Sequence, residues 1–282
     1  MPYKLYGMDT YFYNSLGGYS FETRCELLKE SGYDATYLTL WNDEAWKDVY
    51  KLEQVQEKYG LDVAAVYCTV DISEGIASAA NSKVINLIEN LKGCSTVEIM
   101  MICGDGTLAP SDEAGDSKAI SLMASLLKAA DKNGIRLLLY PHIDSWLERI
   151  EDAIRLCRAI GHPRLGLIFT SYHWYAVDGT SLSEKLDMAA PYLWAANLCG
   201  SKKSSPKQAT IEPLDSGSLD NLIILSELDR LGFDGWIGFQ GYGIGGDVYG
   251  NLKRSITYFK EMEQRLKGHP SWTKLYPKLS WM

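Results

Sequence analysis

Two histidines, His142 and His173, carry the side chains best suited to proton transfer, because imidazole titrates near neutrality. Each lies just past a short apolar run, RLLLY and LGLIFT, that reads as a strand. Tyr140 and Thr170 close those two runs, and Asn197 and Gln240 sit at the ends of two later ones. Such hydroxyl and amide groups donate and accept hydrogen bonds without charge, which suits the hydroxyls of a polyol. Trp146, Tyr172, Trp174 and Tyr242 are near in sequence, and their apolar faces match the C–H face of a sugar ring. The competing reading makes the histidines structural, bonded to backbone or to a ring such as Trp146 or Trp174, and makes the four polar residues interior filling. His162 falls in a helix-to-strand loop and His269 in the C-terminal tail, so neither is a candidate.

Carboxylates follow several predicted strands as well: Asp9, Asp71, Asp105, Asp144 and Asp178. A divalent metal held by His142, His173 and one of these is the lesser alternative, since loop aspartates more often serve as turn or cap residues. In GYGIGGD the glycines invite a phosphate, but Asp247 takes the N-cap position of the next helix and would fill the anion site there. A close-packed loop, or contact with a neutral sugar, is the better expectation. The stretch Gly200–Ser218 reads as a long loop whose Glu212 and Asp215 are more simply solvated than catalytic.

Eight apolar, β-rich runs position these groups: Lys4–Met8, Ala35–Leu40, Asp62–Cys68, Thr96–Ile102, Arg136–Tyr140, Leu165–Thr170, Tyr192–Leu198 and Gly235–Gln240. Runs such as VEIMMI are apolar throughout, as expected of parallel strands covered on both faces. Between them lie amphipathic helical segments, among them Glu44–Tyr59, Trp146–Ile160 and Val248–Lys267. Gly32, Gly60, Gly134, Gly161 and Gly232 each stand where a C′ glycine releases a helix into the next strand. Eight strand–helix pairs in one unbroken domain over 1–267 predict a (β/α)8 TIM barrel, with function at the C-terminal strand ends. The tail 268–282, rich in Trp and Tyr, is expected to pack on the barrel or on a second subunit of a homo-oligomer.

The formal charge of −8 argues against generic binding to nucleic acid or to an anionic membrane. No apolar stretch is long enough to span a bilayer. The start has no apolar signal core, and six scattered cysteines form no CxxC pair, so a reduced, cytoplasmic setting is expected.

Four stretches, GIRLLLYPHIDSWLERIEDAIRLCR, LGLIFTSYHW, APYLWAANLCGSKK and GFDGWIGFQGYG, resemble the xylose isomerase-like barrels, the sugar isomerase/epimerase family. The resemblance implies a Glu, an Asp, a His and a Glu at the ends of strands five to eight, together holding a divalent metal. Carried across, those positions fall on Tyr140, Thr170, Asn197 and Gln240, with His142 and His173 matching histidines that follow the first two. Without carboxylates a divalent ion is poorly compensated for its lost hydration, so no metal cofactor is expected at that site. What remains is an isomerase or epimerase acting on an unphosphorylated sugar or derivative, with His142 and His173 moving protons. A catalytically silent sugar-binding barrel, a sensor or partner subunit, is the alternative.

Overall fold

The computed structural model describes residues 3–269 together with 271 and 272. Strands β1 (Lys4–Gly7), β2 (Ala35–Thr39), β3 (Asp62–Asp71), β4 (Thr96–Ile102), β5 (Arg136–Leu139), β6 (Leu165–Thr170) and β7 (Leu193–Leu198) run in chain order. A small antiparallel hairpin, β8 (Lys203–Ser205) with β9 (Gln208–Ala209), precedes β10 (Trp236–Phe239). All pairings among β1–β7 and β10 are parallel, and β10 closes the barrel between β7 and β1. The expected TIM barrel is therefore the observed fold.

Among the described residues ten α-helices flank the barrel: α1 (Phe21–Ser31), α2 (Asp43–Asp48), α3 (Val55–Tyr59), α4 (Ala79–Asn90), α5 (Asp116–Asn133), α6 (Ile150–Ile160), α7 (Ser171–Val177), α8 (Leu182–Ala189), α9 (Asn221–Arg230) and α10 (Val248–Gly268). The five expected C′ glycines all take positive φ, which ends helices without a Cβ penalty. Three expectations change. The segment expected as one helix over Glu44–Tyr59 is broken by a 3₁₀ stretch, Val49–Gln54, which tightens the chain so that Leu52 and Val55 both reach the core. Helix α6 starts at Ile150 rather than Trp146, because the Asp152 carboxylate accepts from the Arg149 N–H and caps the helix there. The long loop Gly200–Ser218 contains the β8–β9 hairpin.

Two cores result. Between barrel and helices lies a continuous aliphatic and aromatic layer that includes Leu38, Ile99, Leu126, Leu147 and Phe259. Inside the barrel a smaller cluster is built from Tyr6, Tyr37, Tyr67, Tyr140, Leu138 and Ile168. Strand alternation sends these inward while their neighbours face the helices. Tyr6 and Tyr37 stack nearly parallel at 5.3 Å. Gly238 makes room for them, since a Cβ there would fall 2.2 Å from the Tyr6 ring. All six cysteines are free thiols. Among the described residues no helix is long and apolar enough to cross a membrane. Of the C-terminal tail, Trp272 stacks on His269 at 4.5 Å and packs against the outer core, whereas Tyr276 and Trp281 lie outside the described residues.

Candidate active site

A pocket of about 350 Å³ opens at the C-terminal ends of the strands. Its inner wall is made by Tyr140 after β5 and Tyr67 in β3, which meet edge to face at 4.8 Å. The Tyr140 oxygen accepts from Asn197 Nδ2 at 3.4 Å, and Asn197 Oδ1 in turn accepts from the Tyr6 hydroxyl. Tyr140 thus accepts a hydrogen bond from below, and its own hydroxyl hydrogen is left for whatever enters the pocket.

The two histidines meet across this wall with ring centroids 4.1 Å apart. The backbone of one residue, Ile143, fixes both. His142 Nδ1 lies 2.7 Å from the Ile143 carbonyl, so it must carry the hydrogen and donate. The Ile143 N–H donates to His173 Nδ1 at 3.2 Å, so that nitrogen must be bare. By elimination, neutral His142 presents a lone pair at Nε2 and neutral His173 presents an N–H at Nε2. His173 Nε2 is buried and has no protein partner. Burial pushes the His142 pKa below the usual 6.5, and pushes that of His173 well below it, with His142 adding to the effect. A cationic His173 would also turn an Nδ1–H against the Ile143 N–H. His142 can gain and lose a proton, whereas His173 is held as a neutral donor.

Gln240, just past β10, lines the pocket with no side-chain partner among the described residues, and Tyr242 stands at its rim. The other expected residues are placed differently. Thr170 lies beneath the pocket, donating to the Pro141 carbonyl at 3.1 Å, and Asn197 reaches the site only through Tyr140. Trp146 and Trp174 are not in the lining. Their indole N–H groups donate to the carbonyls of Asp112 and Thr180, and both rings belong to the outer core, so they anchor the loops that carry the histidines. The first three strands supply residues that attention to strands five to eight passed over: Met8, Thr10, Thr39, Trp41 and Tyr67. For Met8, Thr10, Thr39 and Trp41 the signal was position at or just past a strand end, whereas Tyr67 lies inside β3.

The carboxylates on this face are occupied structurally. Asp9 accepts from the Thr39 N–H and hydroxyl, Asp71 from Ser73 and the Gly104 N–H, and Asp105 from Thr107. Asp144 pairs with Lys207 at 2.9 Å, and Asp178 with Arg149 and Lys185. Glu212 accepts from Thr210 and Asp215 from Arg254. Among the described residues no three His, Cys, Asp or Glu side chains converge on a common point. The glycine-rich loop after β10 is tied down by the Gly241 and Gly243 N–H groups on Thr10 and Asn14, as expected of a close-packed loop.

The donor set therefore does not fit a divalent metal. At the positions where the resemblance puts ligands, the Thr170 hydroxyl and Asn197 amide are already bonded within the protein, and Tyr140 and Gln240 bring no charge. Chelator-free protein purified from cells grown with Mn²⁺, Mg²⁺ and Zn²⁺ is expected to carry well under one ion per chain by elemental analysis. An anomalous peak bonded to Tyr140, Thr170, Asn197 and Gln240 would contradict this.

A sequence profile described as xylose isomerase-like TIM barrel matches residues 25–262. No curated protein sequence matches significantly. Among solved structures, L-ribulose 3-epimerase superposes with a TM-score of 0.75 at 12% identity, covering 98% of this chain and 100% of the other. The IOLI protein, described with a bound zinc atom, gives 0.75 at 14% identity over 93% and 98%. The 3-keto-D-glucoside 4-epimerase YcjR from E. coli gives 0.73 at 14% identity over 92% and 100%. At such identities these likenesses speak to the fold.

Proposed function

We propose that this chain, which belongs to the xylose isomerase-like TIM barrel family, is a sugar isomerase or epimerase that acts on an unphosphorylated sugar by proton transfer at His142. The observation that carries this reading is the pocket's chemistry. It holds an unpartnered imidazole lone pair beside neutral donors, and among the described residues no Lys, Arg, Asp or Glu lines it. The sugar epimerases among the structural neighbours support the choice of substrate class.

In the proposed reaction, His142 Nε2 takes the proton from the carbon next to the sugar's carbonyl. The C–H electron pair becomes a C=C bond, and the carbonyl electrons move onto oxygen. The Nε2–H of His173 and the hydroxyl of Tyr140 hold that oxygen as charge develops on it, while the Gln240 amide meets a neighbouring hydroxyl. Imidazolium then returns the proton to the adjacent carbon, and the hydroxyl proton passes between the two oxygens to complete the isomerisation. A single base working from one side fits transfer along one face of the enediol. Epimerisation would need a second proton donor from the opposite face.

A catalytically silent sugar-binding barrel is the second reading, favoured by the missing carboxylates. A panel of unphosphorylated aldoses and ketoses with their phosphates, read by thermal shift and by carbon-bound deuterium uptake in D2O, separates the two. Stabilisation with exchange supports the enzyme, and stabilisation without exchange supports the binder. Phosphates binding far more tightly, with steep salt dependence, would refute the neutral pocket. Gln240→Ala is expected to weaken sugar binding by about 1–3 kcal/mol through a lost, desolvated hydrogen bond. Its salt dependence should stay flat in calorimetric titrations, because no ion pair is broken.

A further inference from the structure

The pocket has two chemically distinct ends. The inner end carries the histidines, Tyr140 and Gln240. The outer end is aromatic: Trp41 remains 44% exposed and Tyr242 47% exposed, with their rings edge to face at 5.6 Å. Large rings left open to water in one cluster mark a surface that something else covers.

Trp41 is open but not loose. Its indole meets Tyr67 edge to face at 6.1 Å and the tilted ring of Tyr13 at 5.4 Å, and Tyr13 is itself fixed by donating to the Thr39 carbonyl. Tyr67 also belongs to the pocket wall, so the aromatic surface runs unbroken from the inner end to the rim. Neither the Trp41 indole N–H nor the Tyr242 hydroxyl has a hydrogen-bond partner among the described residues. Fixed ring faces with free polar edges suit a ring that has C–H faces and hydroxyl edges, which describes a pyranose better than a purely apolar group.

We propose that Trp41 and Tyr242 form a second subsite for a second sugar ring, so that the ligand is a reducing disaccharide. Its reducing unit, with the carbonyl free, occupies the inner end, and its other ring stacks at the rim. The second ring must be joined away from the carbonyl carbon, because a glycosidic bond at that carbon would block the proton abstraction. The proposal rests on the neutral-sugar reading of the inner site.

The test compares each reducing disaccharide with its own reducing-end monosaccharide by calorimetry: cellobiose, maltose and lactose against glucose, and xylobiose against xylose. At least one disaccharide should bind about tenfold more tightly than its monosaccharide. That ratio should collapse towards one in Trp41→Ala, and be largely kept in Trp41→Phe. Tyr242→Ala provides an independent variant and should also reduce the ratio. A ratio near one in the unmutated protein, or one that survives both alanine substitutions, overturns the subsite while leaving the inner site intact. If no sugar of either size binds, the neutral-sugar reading falls and the subsite falls with it.

Discussion

His142→Ala is expected to lower sugar-dependent deuterium exchange by roughly 10²–10⁴-fold, the usual worth of a positioned general base. The lone pair at His142 Nε2 faces a pocket that holds no carboxylate to take over the proton. The pH dependence follows from the same geometry. His142 works as a base only when neutral, and burial lowers its pKa below 6.5. Exchange should therefore be at its plateau at pH 7 and fall as pH drops through a midpoint below 6.5. His173→Gln should cost less than His142→Ala, because an amide can still accept from the Ile143 N–H and donate towards the pocket. An acid-side midpoint above 6.5, or full exchange in His142→Ala measured by NMR, would remove His142 from the role of base.

The other large effect concerns stability and lies beneath the site. Glu98, on β4, points into the barrel, where one oxygen accepts from the Tyr37 hydroxyl and the other has no partner. Burial raises its pKa from the usual 4.5 to about 8. Between those values the folded protein keeps a proton that the unfolded chain has released. Stability is thus fully present below about pH 4.5 and declines as pH rises, by roughly 1.4 kcal/mol per unit. Glu98→Gln keeps the shape and an acceptor for Tyr37 but cannot ionise. Its advantage over the parent should grow from near zero at pH 4.5 to roughly 4 kcal/mol at pH 8, a large share of the stability of an ordinary domain. Urea denaturation at a series of pH values reads this directly. Parallel stability curves for the two proteins would mean that Glu98 ionises normally in the folded state.

The barrel was legible because several local signals agreed on it. Apolar strand runs, amphipathic helices and the C′ glycines at 32, 60, 134, 161 and 232 all implied the same alternation. Boundaries were less legible where tertiary contacts decide them, as when the Asp152 cap delays α6 to Ile150. For the site, Tyr140, His142, His173 and Gln240, grouped by strand-end position, all line one pocket. Strand-end position could not tell a side chain facing the pocket from one facing the helical layer, which is how Trp146 and Trp174 became candidates. Nor could it show that the Ile143 backbone, through its carbonyl and its N–H, dictates opposite tautomers in the two histidines. That division of roles depends on a backbone orientation with no trace in residue types.

In the proposed reaction imidazole, without a metal, moves a carbon-bound proton of a neutral sugar. Its most direct test is deuterium uptake at the carbon next to the carbonyl, followed by NMR in D2O with protein stripped by chelator and passed through a desalting column. Uptake is expected into at least one unphosphorylated sugar, unchanged when the chelator is kept in the assay. Uptake that appears only when Mn²⁺ or Mg²⁺ is added back would contradict it.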